Sequence, residues 1–194
     1  MKSRTSDDAD VLGAAPLVRK FAPKIASAAE GKAILDVGCG SDRNAVILSR
    51  LGCTVICLDK DLTALHAMQS RLRCSPLRNA AAELIAQQVD FTQDRWPFTP
   101  TSVGGIISVH FLLPALFPNF ASSLCSGGYL LLQTVPGCGG NYLELPKAGE
   151  LRSALEKDFD FDFYRERAAG PAGHDAVTVQ AVARRRRPVA VQSV

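Results

Sequence analysis

The stretch Ala33-Ile34-Leu35-Asp36-Val37-Gly38-Cys39-Gly40-Ser41-Asp42-Arg43-Asn44 decides the fold. An apolar run reaches an acid, passes through two closely spaced glycines and leads into a helix-forming segment. Glycine has no Cβ and tolerates positive φ, so such a turn lets a bound small molecule approach the backbone. About 20 residues further on, a second apolar run, Thr54-Val55-Ile56-Cys57-Leu58, ends in Asp59. A carboxylate at the tip of a neighbouring strand can accept hydrogen bonds from two ribose hydroxyls. Strand, glycine turn, helix, strand and acid together read as a nucleoside-cofactor pocket.

Outward from this unit the pattern repeats. Ala14 to Ala29 can form a helix, with Pro16 suited to its first turn and Pro23 expected to kink or divide it. The periodicity predicts strands at Ala33–Val37, Thr54–Leu58, Leu84–Asp90 (starting as helix near Ala80), Gly105–Val109 and Tyr129–Val135. Between them it predicts a helix over Arg43–Leu51, with Ile47, Leu48 and Leu51 on one face. A second helix is capped by Asp61 in a region that Pro76 ends, and a third covers Pro114–Leu124. Pro136 to Gly140 reads as a flexible loop long enough to be a lid, and Pro146–Lys157 as a helix. Phe159–Arg165 alternates like a half-exposed strand; a turn at Gly170–Asp175 returns the chain along Ala176–Ala183. Strands alternating with helices imply an α/β fold, a mainly parallel sheet covered on both faces. The final pair, joined by a short turn, must be antiparallel.

Composition allows one domain. The 194 residues are 47% hydrophobic, enough for a core. The net charge of +3 comes from Arg184 to Arg187; without those four, 18 basic residues face 19 acidic ones. Residues 1–12 read as a flexible N-terminal segment, 13–184 as the domain and 185–194 as a basic tail. We read the arginine run as solvated; contact with nucleic acid is the alternative, although no aromatics interleave with it. The longest apolar stretch, around Val103 to Phe117, is interrupted by His110 and Pro114, so no membrane span is expected. The first ten residues lack a hydrophobic core and carry acids, which points to a cytoplasmic protein. Six cysteines include no C-x-x-C pair, and the three histidines are scattered, so no metal site is expected. Cys53 and Cys57, four apart around a strand, are read as thiols sharing a face and acting as small hydrophobes.

The loop also selects its cofactor. A dinucleotide fingerprint needs a third glycine, where this chain has Arg43. An acid before the glycines suits a cationic ligand without pyrophosphate, and S-adenosyl-L-methionine carries a sulfonium and an amino group. Leu35-Asp36-Val37-Gly38-Cys39-Gly40 resembles motif I of the class I S-adenosylmethionine-dependent methyltransferases. Asp90-Phe91 is similar to that family's adenine-holding pair, Trp96-Pro97-Phe98 to the loop after it, and Ser126-Gly127-Gly128 to the turn into its fifth strand. Asn141-Tyr142-Leu143 with Gly149-Glu150-Leu151 is most like compact tellurite-resistance-type and type 11/12 members. The resemblance implies a Rossmann-like seven-stranded sheet of order 3-2-1-4-5-7-6, with the last strand antiparallel. It further implies that Asp36 and the backbone of Gly38, Cys39 and Gly40 hold the methionine end. Asp59, with Lys60 beside it, would take the ribose; Asp90 and Phe91 would take adenine.

Many family members carry glycine where this chain has Asp42. We read Asp42 as the cap of the following helix; the alternative is that its charge repels the cofactor carboxylate. His110, at the end of the fourth strand, is the candidate general base, or else a wall of the pocket. Ser108-Val109-His110-Phe111 lacks the Pro-Pro-aromatic pattern of enzymes that methylate nucleobase amines. Tyr142 and Glu144 could face the acceptor. The expected activity is methyl transfer to a small molecule. Rival readings are a non-catalytic interaction module on the same fold, and an RNA methyltransferase using the arginine run. The sequence is silent on oligomeric state.

Overall fold

All four residues of the first strand, β1 (Ile34–Val37), are buried. Successive side chains of a strand point to opposite faces, so both faces of β1 are covered. The computed structural model describes residues 13–41, 43–67, 84–135, 145–171 and 174–187. Before β1 comes α1 (Pro16–Ala28); after it come α2 (Ala45–Arg50), β2 (Val55–Asp59), β3 (Leu84–Gln88) and β4 (Val103–Val109). A 3-10 turn at Pro114–Leu116 leads to α3 (Phe117–Ser123), β5 (Leu124–Gln133), α4 (Glu150–Leu155), β6 (Phe159–Ala168) and β7 (Val177–Arg185).

The strands form one sheet in the order β3-β2-β1-β4-β5-β7-β6. The pairs β1–β2, β1–β4, β2–β3 and β4–β5 are parallel, and β7 is antiparallel to both β5 and β6. The expected Rossmann-like α/β sheet is therefore present, order and antiparallel strand included. Its two faces carry separate apolar layers. Leu35 and Val37 pack with Phe120, Leu130 and Val179 on one face. Ile34 and Ile107 pack with Leu17 and Ile25 of α1 and Leu48 of α2 on the other.

Several boundaries differ from expectation. Pro23 does not divide α1, which is a single helix of 13 residues. An interior proline costs about 3 kcal/mol, but each fully buried large aliphatic side chain contributes about 1.5–3 kcal/mol. Leu17, Val18, Ala22 and Ile25 are all buried, so packing wins. The helix after β1 is shorter than expected. Leu51 is its C-cap and is 46% exposed rather than on the apolar face. β5 starts at Leu124, not Tyr129. Its register on β4 jumps from Val103–Leu124 to Gly105–Tyr129, so Gly127-Gly128 is an irregularity inside a strand. α4 starts at Glu150 rather than Pro146, because Lys147 is drawn into an antiparallel bridge with Ala176.

The solvated tail expected of Arg184 to Arg187 is found only in part: Arg184, Arg186 and Arg187 are exposed, but the run begins inside a strand and Arg185 is half-buried. Arg184 and Arg185 are strand residues of β7, running beside Asp160 and Phe159 of β6. The Arg185 Nε donates to the Ala121 carbonyl at 2.7 Å, and its Nη1 lies 3.2 Å from Asp158 Oδ1. Arg186 pairs with Asp160 at 2.9 Å. Asp158, just before β6, and Asp160 on it pair with Arg185 and Arg186, which composition alone assigned to solvent. Asp61 does cap the helical residues 63–67, its Oδ1 accepting the Thr63 N–H at 2.9 Å. Among the described residues no helix is long and apolar enough to cross a membrane. The expectations for residues 1–12, Asp42, Cys74, Pro76, Ala80, the 136–140 loop with Cys138, Tyr142 and Glu144, and residues 188–194 lie outside the described residues.

Candidate active site

Parallel register sets the strand tips side by side. Val37 stands opposite Leu58, and Asp59 opposite Gln88. Leaving β1, the chain turns at once and hydrogen-bonds to the end of β2. Gly38 and Cys39 donate to the Leu58 carbonyl at 2.8 and 3.1 Å, and Gly40 donates to Asp59 Oδ2 at 2.9 Å. The turn runs through φ of 69° at Gly38 and 54° at Gly40, where glycine is the residue that fits. The two glycines serve different ends. A Cβ on Gly38 would stand 2.5 Å from the Phe111 side chain, so the gap there is filled by the chain's own aromatic. At Gly40 nothing lies within 4 Å of that position.

Asp59 is half-buried and held at both oxygens, since the Asp61 N–H donates to Oδ1 at 3.2 Å. A carboxylate offers about four lone-pair sites, so two remain for incoming hydroxyls. Lys60 beside it is exposed, and its carbonyl accepts the Gln88 side-chain amide at 2.9 Å. Asp36, in register with Cys57 and Ile107, is only 1% exposed. It therefore lies beneath the rim, whereas Asp59 stands on it.

Asp90 also does local work. Its Oδ1 accepts the Thr92 hydroxyl at 2.6 Å and the Thr92 N–H at 3.0 Å, and its Oδ2 accepts the Gln93 amide at 3.0 Å. Those Thr92 bonds, helped by the Lys60 charge, hold its carboxyl below the ordinary 3.8. Phe91 packs its ring on Phe111 (5.7 Å) and on Trp96 (5.9 Å), and Trp96 donates its indole N–H to Ser123 Oγ at 2.7 Å. The acid-plus-apolar pair thus stands at the wall of an aromatic cluster.

β4 ends in a strained residue. Ser108 Oγ lies 2.8 Å from the Phe111 carbonyl and 3.1 Å from the Val37 carbonyl, tying the end of β4 to that of β1. Within that tight turn His110 takes a φ of 65°. A non-glycine residue held there costs roughly 1–3 kcal/mol, and such strain clusters at functional sites. The His110 N–H donates to the Gln133 carbonyl at 2.7 Å, and the residue is exposed. Partial desolvation of its ring, then the nearby Arg43 guanidinium, pull its pKa below the ordinary 6.5. Near neutral pH it is an uncharged imidazole with one ring nitrogen able to accept a proton. Arg43, in place of a third glycine, reaches Gly13, with Nη1 3.3 Å from where a Cβ would be. Asn44 Oδ1 accepts the Ala15 N–H at 2.9 Å, so the segment after the glycine loop ties down the start of α1.

One part of the rim escaped the sequence reading. A cleft of about 430 Å³ opens between the N-terminal half of α1 and the ends of β5, β6 and β7, and Lys20, Gln133, Phe163, Arg165 and Arg167 line it. Gln133 joins it to His110 through the backbone hydrogen bond already described. A partial signal existed, because Phe163, Arg165 and Arg167 alternate at one strand end. Lys20 comes from the far end of the chain, and only the fold brings it there.

A sheet of this order, with a glycine turn after its first strand and an acid after its second, is the Rossmann-like fold of S-adenosylmethionine-dependent methyltransferases. A family model described as a methyltransferase domain, type 11, matches residues 35–132, half of the chain, and the chain belongs to that family. A S-adenosylmethionine-dependent methyltransferase from Methanosarcina mazei superimposes with a TM-score of 0.62 at 17% identity, over 89% of this chain and 98% of its own. TehB from Haemophilus influenzae gives 0.62 at 19%, over 86% and 62%. A geranyl diphosphate methyltransferase in complex with S-adenosylmethionine gives 0.62 at 14%, over 86% and 84%. No curated protein matches the chain in sequence. S-adenosyl-L-methionine is the cofactor of this fold, and the rim fits it on two counts: open space over the Gly40 backbone, and a half-buried Asp59 carboxylate with acceptor sites to spare.

Proposed function

We propose that this chain transfers a methyl group from S-adenosyl-L-methionine to a small-molecule acceptor. The observation that carries the reading is the Asp59 carboxylate, oriented by the Gly40 and Asp61 N–H groups beside open space over Gly40. In this reading Asp59 accepts from the two ribose hydroxyls, with Lys60 flanking it. Asp90 accepts from the adenine amino group on its remaining lone pairs, and Phe91 supplies an apolar edge. The backbone of Gly38, Cys39 and Gly40 shapes the wall for the methionine end. Asp36, buried under that wall, is a positioning residue whose charge favours a cation above it.

When bound, the cofactor would supply an electrophilic methyl on a sulfonium, with a neutral thioether as its leaving group. The chain's contribution is alignment and exclusion of water. Where the acceptor arrives protonated, the His110 imidazole takes that proton, and its lowered pKa keeps it free to do so near neutral pH. Transfer to RNA through the arginine run is disfavoured, because Arg185 and Arg186 already pair with Asp158 and Asp160.

Calorimetric titration with S-adenosylmethionine tests the reading, followed by a screen for S-adenosylhomocysteine release over thiols, oxyanions, amines and carboxylates. We expect micromolar binding that Asp59→Ala weakens about tenfold or more, a loss of ~1.4 kcal/mol. No binding at millimolar cofactor would leave a non-catalytic module as the better account.

A further inference from the structure

We propose that the cleft between α1 and the β5–β7–β6 rim is the acceptor subsite, and that it takes a small organic anion: an apolar body bearing a carboxylate or phosphate. The proposal rests on the methyl-transfer reading and narrows it to a substrate class.

The charges in the cleft are all of one sign. Lys20, Arg165 and Arg167 line it, and among the described residues no Asp or Glu does. Among the described residues none of these three cations is in an ion pair. Lys24 makes the contrast. It lies one turn further along α1, and its ammonium sits 2.6 Å from Asp162. Among the described residues the cation outside the cleft is thus paired and those inside it have no counter-charge. Two of them stand against a ring instead. Lys20 Nζ stands 5.3 Å and Arg165 Cζ 5.6 Å from the centroid of Phe163. Two like charges near one aromatic ring repel each other, and an anion bound beside them offsets that repulsion.

The backbone builds this arrangement deliberately. β6 carries a bulge between Phe161 and Phe163. Before it, Phe159 and Phe161 pack into the layer with Phe120; after it, Phe163 packs into the layer with α1. A bulge re-aims the side chains that follow it. Arg165 and Arg167 share the face of Phe163 by alternation and therefore meet α1. Gln133, Gln180 and Arg165 form one rung across β5, β7 and β6, with Thr178 opposite Arg167. Amides and hydroxyls beside two guanidinium groups suit the planar oxygens of a carboxylate or phosphate. Pro16, Leu17 and Val135 give the rest of the lining an apolar character. A volume of about 430 Å³ suits a small ligand. The His110 N–H donates to the Gln133 carbonyl, so the cleft lies next to the residue proposed as base.

The test uses the full-length protein and two matched probes, benzoate and its uncharged isostere benzamide, titrated calorimetrically with S-adenosylhomocysteine present and absent. We expect benzoate to bind in the millimolar range or better and benzamide to bind at least about tenfold more weakly. Arg165→Gln and Arg167→Gln should each weaken benzoate about threefold or more. Lys32→Gln, exposed on the segment before β1 and away from the cleft lining, should leave it unchanged, and S-adenosylmethionine affinity should be the same in all three variants. Thermal melts establish that each variant is folded. Equal binding of the two probes, or benzoate affinity indifferent to both arginine substitutions, would overturn the anion subsite while leaving cofactor binding intact. Arginine-dependent benzoate binding by a protein that ignores S-adenosylmethionine would keep the anion site and sink the methyl-transfer reading instead.

Discussion

At the scale of the residue, His110 is where strain and chemistry coincide. Its φ of 65° suits glycine better than histidine. His110→Gly should therefore melt higher than His110→Ala, by about 1 kcal/mol of stability. Both variants should lose turnover for any acceptor that must be deprotonated, at unchanged cofactor affinity. Because the pKa is lowered, the reactive neutral form grows in as pH rises through a value below 6.5. The wild-type rate should then show an acid limb with its midpoint below that value, and His110→Gln should lack the limb. The stability tied to the same shift is complete above 6.5 and lost as pH falls through the folded value. A pH–rate profile identical in His110→Gln would reduce the residue to a wall. The proposed site acids Asp59 and Asp90 stand out in the sequence because they fall at or just past strand ends, where such folds bind ligands. The difference between Gly38 and Gly40 was not legible. It depends on Phe111, which arrives from the turn after β4.

Elements were legible where one periodicity dominated and illegible where tertiary pairing overrode it. β4 reads as an apolar run and is buried at all seven positions. β6 reads as plain alternation, which predicts Phe159, Phe161 and Phe163 on one face, but the bulge puts Phe163 on the other. What holds the bulge is Asp162, whose Oδ2 accepts from Lys24 Nζ at 2.6 Å and from Tyr129 Oη at 2.7 Å. Burial alone would raise the Asp162 pKa, but those two hydrogen bonds outweigh it and hold it below 3.8. The Lys24 side chain is 54% exposed, so its share is screened and the Tyr129 bond matters more. Asp162→Asn should cost about 1–2 kcal/mol, or roughly 2–8 °C in melting temperature. The sign with pH follows from the lowered pKa. The advantage of wild type over Asp162→Asn is present above 3.8 and fades as acid takes the carboxyl through its folded value. A difference that grows on acidification would contradict the assignment. Tyr129→Phe should reproduce part of the loss, and its difference from wild type should likewise fade as the carboxyl is protonated, because the missing bond goes to the carboxylate.

Over the whole molecule, alternating strands and helices foretold an α/β sheet, while its exact order came only through family resemblance. Strand periodicity says which segments are buried, not which neighbours they choose. The basic cleft was hidden for the same reason, since Lys20 and Arg165 meet only after seven strands have been laid in order. That order also predicts how the cofactor should act on stability. The proposed contacts come from the tips of β1, β2 and β3, and the sheet continues without a break from β3 to β6. Loss of any central strand removes the binding rim, so cofactor binding should stabilise the entire chain as one cooperative unit. At a hundredfold excess over the dissociation constant the gain is about 2.7 kcal/mol, or roughly 5–11 °C in melting temperature for a chain of this length. Asp59→Ala, with affinity down about tenfold, forfeits ~1.4 kcal/mol of that gain and should show about half the shift at the same cofactor concentration. Arg165→Gln, placed outside the cofactor rim, should show all of it. Differential scanning calorimetry distinguishes the cases. A single peak that moves as a whole supports one cooperative sheet gripping the ligand at its rim. Two peaks, of which S-adenosylmethionine moves only one, would mean that the β5–β7–β6 half unfolds on its own, and that the acceptor cleft is not rigidly coupled to the cofactor loop beside it.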